Sequence, residues 1–155
     1  MALVFSVRGS AAEDALRQAG PDNFAGKLVI DTTNPTTTAP PQDGVLESFT
    51  GPNESLMERL QKAAPRARFV KAFNSVGSDL MVNPKFEGGK PTMFYCGDDP
   101  AARAEVGRIL EQLGWEGADM GAAVAARAIE PLAVLWCIPG FREDRWTHAF
   151  KLLTR

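Results

Sequence analysis

The sequence predicts an α/β fold: a mostly parallel sheet flanked by helices, followed by a carboxy-terminal helical segment. Three observations lead there. Short apolar runs at 2–7, 27–31 and 68–73 alternate with stretches whose apolar residues recur at helical spacing. The second and third runs end in small polar residues, as parallel strands do where they meet a ligand crevice. The helical stretches carry explicit stops at Gly20-Pro21, Pro65 and Gly114.

Taken in order, the first strand (2–7) leads to a helix that Ser10 and Glu13 could open as a capping box, with Ala12, Leu16 and Ala19 on its apolar face. The second strand, 27–31, runs into a loop rich in Thr and Pro (Thr36-Thr37-Thr38-Ala39-Pro40-Pro41), too long for a simple connection and of the kind that is commonly functional or mobile. Asn53 is a candidate cap for a helix with Leu56, Met57, Leu60 and Ala64 on one side. After the third strand, 68–73, and a further strand beginning at Thr92, Asp99-Pro100 supplies a cap and a first-turn proline. Val106, Ile109, Leu110 and Leu113 form the stripe of that helix, and Gly114 closes it. The stretch 122–136 reads as another helix, kinked or restarted near Pro131 because proline lacks the amide proton the preceding turn needs. The tail, 141–153, is weakly amphipathic.

Composition bounds the function. With 155 residues and 45% hydrophobic content, one domain over 1–155 with its own core is expected. Seventeen Lys and Arg stand against 19 Asp and Glu, which leaves no excess of basic surface for nucleic acid. The apolar stretch 121–139 is interrupted by Arg127 and Glu130, and too few residues precede Arg8 for a signal peptide, so neither membrane crossing nor secretion is indicated. Cys96 and Cys137 have no metal-type spacing around them and read as buried reduced thiols of a cytoplasmic protein.

In an open parallel sheet, ligands bind outside the carboxyl ends of the strands. That places Val7-Arg8, Thr33-Asn34-Pro35 and Ala72-Phe73-Asn74 on one rim as candidate cofactor-binding residues. Asn34 and Asn74 each carry an amide that can donate and accept, suited to a carboxamide or a ribose hydroxyl, although Asn-Pro and Asn-Ser are also ordinary turn formers. His148, the one histidine, reads as a surface residue, and no nucleophile-elbow motif supports a hydrolase triad. Neither a catalytic side chain nor a metal site is predicted.

Four motifs in order, Leu28-Val29-Ile30-Asp31 into Thr32-Thr33-Asn34-Pro35, Arg68 to Phe73 into Asn74-Ser75, Thr92-Met93-Phe94-Tyr95-Cys96-Gly97-Asp98-Asp99, and Ala118-Asp119-Met120-Gly121, resemble one family. It is the deazaflavin-dependent NADP oxidoreductases, whose core also occurs in the oxidoreductase domains of the STEAP metalloreductases. The resemblance covers roughly residues 28–136. It implies a partial Rossmann-like, doubly wound sheet and hydride transfer between NADPH and coenzyme F420 or a related acceptor. Such transfer needs close stacking and exclusion of water, so the protein's main task is orientation.

Two departures from the family pattern stand out. None of the 14 glycines falls in a G-x-G-x-x-G loop, the element that holds the pyrophosphate at a helix amino terminus. Arg8 stands where relatives commonly place proline, putting a cation near the nicotinamide edge. The resemblance therefore implies a chain that enters the domain partway, a truncated oxidoreductase domain, with its first strand left as an apolar edge that invites pairing. A homo-oligomer, most simply a dimer, is expected from that edge or from the apolar carboxy-terminal helices. The alternative is a non-catalytic interaction or assembly module that retains the second half of the fold.

Overall fold

A computed structural model describes all 155 residues. Three parallel strands, β1 (Ala2–Phe5), β2 (Leu28–Asp31) and β3 (Arg68–Lys71), lie side by side in that order. Ala2 pairs with Leu28 and Phe5 with Asp31, while Leu28 pairs with Arg68 and Asp31 with Lys71. The first run thus takes its expected place beside the Asp31 strand. A second parallel pair, β4 (Thr92–Tyr95) and β5 (Glu116–Asp119), joins the first sheet through one antiparallel bridge. There the Lys71 amide donates to the Cys96 carbonyl (2.9 Å) and the Cys96 amide to the Lys71 carbonyl (3.2 Å).

Helices α1 (Ala12–Ala19), α2 (Leu56–Ala63) and α3 (Pro100–Gln112) make the β1–β2, β2–β3 and β4–β5 connections. The strand period of two sorts side chains between two cores. Val29 and Phe69 face Leu16, Leu56, Met57 and Leu60, with Ile129 in the same cluster. Leu28, Ile30 and Val70 face the opposite way, toward Met93, Val106, Leu110 and Trp115.

Several boundaries differ from the sequence expectation for local reasons. Ser10 makes no cap: a 3-10 turn, Gly9–Ala11, opens the helix from Arg8, which leaves Ser10 exposed inside that turn. Ala19 is exposed as well. The cap of α2 is Ser55 rather than Asn53, in a full capping box with Glu58. The Thr/Pro loop is a hairpin-like arm with bridges Thr36–Ser48 and Gln42–Val45, turned by Asp43 (φ 50°) and Gly44 (φ 85°). Its tip rests on the last helix, where a Cβ on Gly44 would meet the Arg142 Cγ at 2.8 Å.

Past β5 the chain is helical through α4 (Ala126–Ile129) and α5 (Pro131–Glu143), and it restarts at Pro131 as expected. It then runs beyond Trp136 and through Pro139 before Asp144 (φ 53°) ends it. The tail after Asp144 has no regular structure. By length and composition the 21 residues Ala123–Glu143, which include an 18-residue window of mean hydropathy 1.4, could cross a bilayer. Here two of their four charges bind the domain: Glu130 is buried against β3, and Arg127 grips Glu58 with Nε at 3.0 Å and Nη2 at 2.7 Å.

That grip sets a pH dependence. The hydrogen bond from Arg127 outweighs partial burial and, with help from Ser55, holds the Glu58 carboxyl below its ordinary 4.5. A carboxylate depressed on folding contributes stability above its unfolded value and loses it as pH falls through the folded one. Replacing Glu58 by Gln is expected to cost about 1 kcal/mol near neutral pH. Urea titrations of both proteins across pH should show that gap closing below 4.5.

Candidate functional site

Because Phe5, Asp31 and Lys71 share one register level, the chain leaves all three parallel strands at one rim. The Thr32 amide continues the ladder to the Phe5 carbonyl and the Ala72 amide to that of Asp31, both at 3.1 Å. At Gly9 the backbone lies so close to the Asn34 carbonyl that a Cβ would collide with it. Only glycine lets the α1 entry pass over the end of β2. The asparagines cross-link the other two strand ends. Asn34 Nδ2 donates to the Asn74 carbonyl (2.7 Å), Asn74 Nδ2 donates to Asn34 Oδ1 (3.0 Å), and Asn74 Nδ2 also reaches the Ile129 carbonyl (3.0 Å).

The eight sequence-predicted residues divide by position. Val7 and Arg8 are exposed at the end of β1, and Arg8 has no ion-pair partner. Asn34 is half-buried and keeps one Nδ2 hydrogen and one Oδ1 lone pair for a ligand. Asn74 is buried, its Nδ2 hydrogens are committed, and its Oδ1 is enclosed without a partner. Thr33 is buried on Asp31, and Pro35 is buried where its carbonyl accepts the Phe49 amide of the hairpin base (2.8 Å). Ala72 and Phe73 lie in the second core and present no side-chain surface to the rim. Phe73 has a φ of 60°, a backbone strained for a side-chain-bearing residue, held by edge-on packing on Trp115 at 6.4 Å.

Beneath the rim lies a cluster the sequence reading did not assemble. Lys71 Nζ sits 2.7 Å from Asp31 Oδ2 and 3.0 Å from Glu130 Oε1, and donates to the Thr33 carbonyl at 2.6 Å. All three side chains are buried. Asp31 Oδ1 accepts from the Thr33 amide and hydroxyl (2.9 and 2.7 Å), while Glu130 accepts from the Leu56 and Met57 amides, both at 2.9 Å. Three acceptors surround the ammonium, and Glu130 brings negative charge to the positive end of α2. Burial opposes the charge on Lys71, but Asp31 and Glu130 together outweigh it and hold the ammonium above its ordinary range. The available signal was a lysine and a glutamate inside otherwise apolar runs.

The polar side chains of the rim, Arg8, Asn34 and Asn74, include no carboxylic acid, imidazole or thiol. Burial pushes the Cys96 thiol up to about 12 despite Lys71 nearby, and raises Cys137 as well, so both stay protonated. His148 is half-buried and stacked on Trp136 rather than free on the surface. A small cavity of about 110 Å³ opens beside Pro35, walled by Glu54, Arg127, Glu130 and Pro131. A larger polar cleft of about 550 Å³ lies at the amino end of β3 among Gln61, Lys62, Arg68 and Asp99, away from the rim.

Removing the ammonium would leave two buried carboxylates facing each other. Lys71→Met is therefore expected to destabilise the fold by about 3–5 kcal/mol, read by urea denaturation. A loss under about 1 kcal/mol would show that the carboxylates do not depend on it.

No family model matches this chain. A crystal structure from Arthrobacter sp. FB24, provisionally assigned as an F420-dependent NADP reductase, superposes with a TM-score of 0.89 and 31% identity over 97% of this chain and 68% of that one. Rat (Rattus norvegicus) metalloreductase STEAP3 is 31% identical over 123 residues, 76% of this chain; the match spans 23% of the rat protein. A hypothetical protein of Sinorhizobium meliloti (TM-score 0.67, 21% identity, 99% of this chain and 67% of that one) shares the fold. So does a reductive aminase of Aspergillus terreus solved with NADPH (TM-score 0.58, 23% identity, 90% and 42%). The strand order, the rim and the first two relatives together identify the chain as a member of the F420-dependent NADP reductase family, with the Rossmann-like core that this family shares with the STEAP metalloreductases.

Proposed function

We propose that this chain contributes the nicotinamide-side rim of an NADP-dependent oxidoreductase that moves a hydride between NADPH and a deazaflavin such as coenzyme F420. The observation that carries this is the convergence of Arg8, Asn34 and Asn74 from the ends of three adjacent parallel strands, in a chain 31% identical to the Arthrobacter relative. The rim's donor set fits one end of the dinucleotide. Asn34 has amide capacity left for the carboxamide or a ribose hydroxyl, and the neighbouring Asn74 holds it at a fixed height. For the polyanionic end the residues do not fit, since Arg8 is the rim's one unpaired cation and no glycine-rich loop is present. NADPH, when bound, supplies the hydride. The side chains described here orient it and keep water out, which suits a site with no acid or base.

Charged hydrogen bonds to phosphate are worth about 1.5–3 kcal/mol each, so lacking several moves a micromolar ligand beyond millimolar. Calorimetry on the 155-residue chain is expected to give NADPH binding weaker than millimolar. Fusing a strand–loop–helix segment of the G-x-G-x-x-G type ahead of Met1 should restore micromolar binding and allow bleaching of oxidised F420 by NADPH. In that fusion Asn34→Ala should weaken NADPH binding roughly tenfold. Micromolar binding by the unfused chain, or no hydride transfer by the fusion, would refute the assignment.

A second reading, assembly, has its own observation. Along β1 the outer edge is unpaired and Val4 is 65% exposed, and Leu135 of α5 is 53% exposed. The chain exposes 8537 Å² where a compact monomer of 16.7 kDa exposes about 7,600 Å². That excess is comparable to the roughly 800 Å² each partner covers in a stable interface. We therefore propose a homodimer in a cytoplasmic setting. Sedimentation at micromolar concentration should show a dimer, and either Val4→Lys or Leu135→Glu should dissociate it.

A further inference from the structure

The tail that follows α5 is irregular yet extensively bonded. The Thr92 amide donates to the Phe150 carbonyl (2.8 Å), and the Leu152 amide to Thr92 Oγ1 (3.0 Å). Lys151 reaches Glu116 at 2.7 Å. Upstream, Trp146 covers Gly140 so closely that a Cβ there would overlap its ring, and it stands edge-on to Phe141 at 5.2 Å. Between these anchors His148 lies stacked on Trp136, with centroids 5.0 Å apart and planes 24° apart. The stack is bonded in both directions. Trp136 Nε1 donates to the His148 carbonyl (2.8 Å), and His148 Nε2, facing an oxygen that can only accept, donates to the Trp136 carbonyl (2.9 Å).

The far edge of the same indole covers the rim loop. A Cβ on Gly77 would meet Trp136 Cη2 at 3.0 Å and Cζ2 at 3.4 Å. Gly77 is three residues past Asn74, at the end of a loop that begins with the strained backbone of Phe73. A strained loop stays in place only while its surroundings over-determine it. Phe73 is held at one end by Trp115, and Gly77 at the other by Trp136.

We propose that the tail is a latch, in which Trp136 and His148 act as positioning residues that clamp the 73–77 loop and so set the height of the Asn34–Asn74 pair on the rim. What the pair does for a ligand rests on the function proposed above; how the loop is held does not, so the test is made without ligand.

The reporters are the Asn74 side-chain amide protons, bonded to Asn34 and Ile129, and the Leu80 amide, bonded to the Gly77 carbonyl. In His148→Ala, hydrogen exchange followed by NMR should quicken roughly tenfold at these sites, the loss expected for one stack plus one hydrogen bond. Amides of β2, which β3 separates from the second strand pair where the tail is bonded, should keep their rates. Trp136→Phe, which keeps an aromatic ring but loses Nε1 and the edge over Gly77, should give the same pattern. His148→Phe, which retains stacking, should recover most of the protection. Unchanged rates at Asn74 and Leu80, a uniform acceleration including β2, or no recovery in His148→Phe would overturn the latch. Failure of hydride transfer with this exchange pattern intact would count against the proposed function alone.

Discussion

The Lys71 ammonium is the constraint on which the rest of this structure depends. It is buried, and it survives burial because two carboxylates and a backbone carbonyl lie within 3.0 Å. Those three acceptors come from the end of β2, the turn after it, and the joint between α4 and α5. One side chain therefore ties the sheet's carboxyl end to the last helical layer, through Glu130, which also receives the first two amides of α2. A buried ion pair is weak support for stability when set against a well-packed apolar alternative. Its consequence here is a tie between layers, because breaking any one of these contacts would strand a buried charge.

From that constraint the rim follows. Asp31 holds Thr33 by both amide and hydroxyl, which fixes where Asn34 emerges. Asn34 then shares two hydrogen bonds with Asn74, and Asn74 reaches Ile129, one residue before Glu130. The ligand-facing layer is thus built on the charged layer beneath it, with the same helical joint serving both. A site of this kind is polar and cross-linked by its own hydrogen bonds, and burial pushes the nearby Cys96 thiol up to about 12. Polar positioning is what the hydride transfer proposed for this chain asks of a protein.

The carboxy-terminal helices bring these threads together. Their run is long and apolar enough to cross a bilayer by length and composition, and two of its charges, Arg127 and Glu130, are attachment points to the domain. The lipid-like stretch left exposed at Leu135 and Phe141 is then surface of a docked helix. The hairpin arm after Pro35 leans on the same helix through Gly44, so α5 touches the arm, the rim loop and the tail.

The sequence by itself determined the elements and their order. The apolar runs at 28–31 and 68–71, the stops at Gly20 and Gly114, the Asp99 cap and the restart at Pro131 are local signals, written in residues a few positions apart, and the backbone obeys them. Ser55 with Glu58, and Asp43 with Gly44, were equally local and were overshadowed by Asn53 and by the prolines of the same loop. The candidate rim was also legible, because strand ends are readable and an open sheet puts ligands there. Tertiary structure alone decided which rim residues face outward: Asn34 keeps free amide capacity while Asn74, Ala72 and Phe73 turn inward, a choice made by partners 40 or more residues distant. It likewise assembled Asp31, Lys71 and Glu130, since a charge in an apolar run announces only that it needs a counter-charge. Where that counter-charge lies depends on how the layers stack, and no local spacing encodes that.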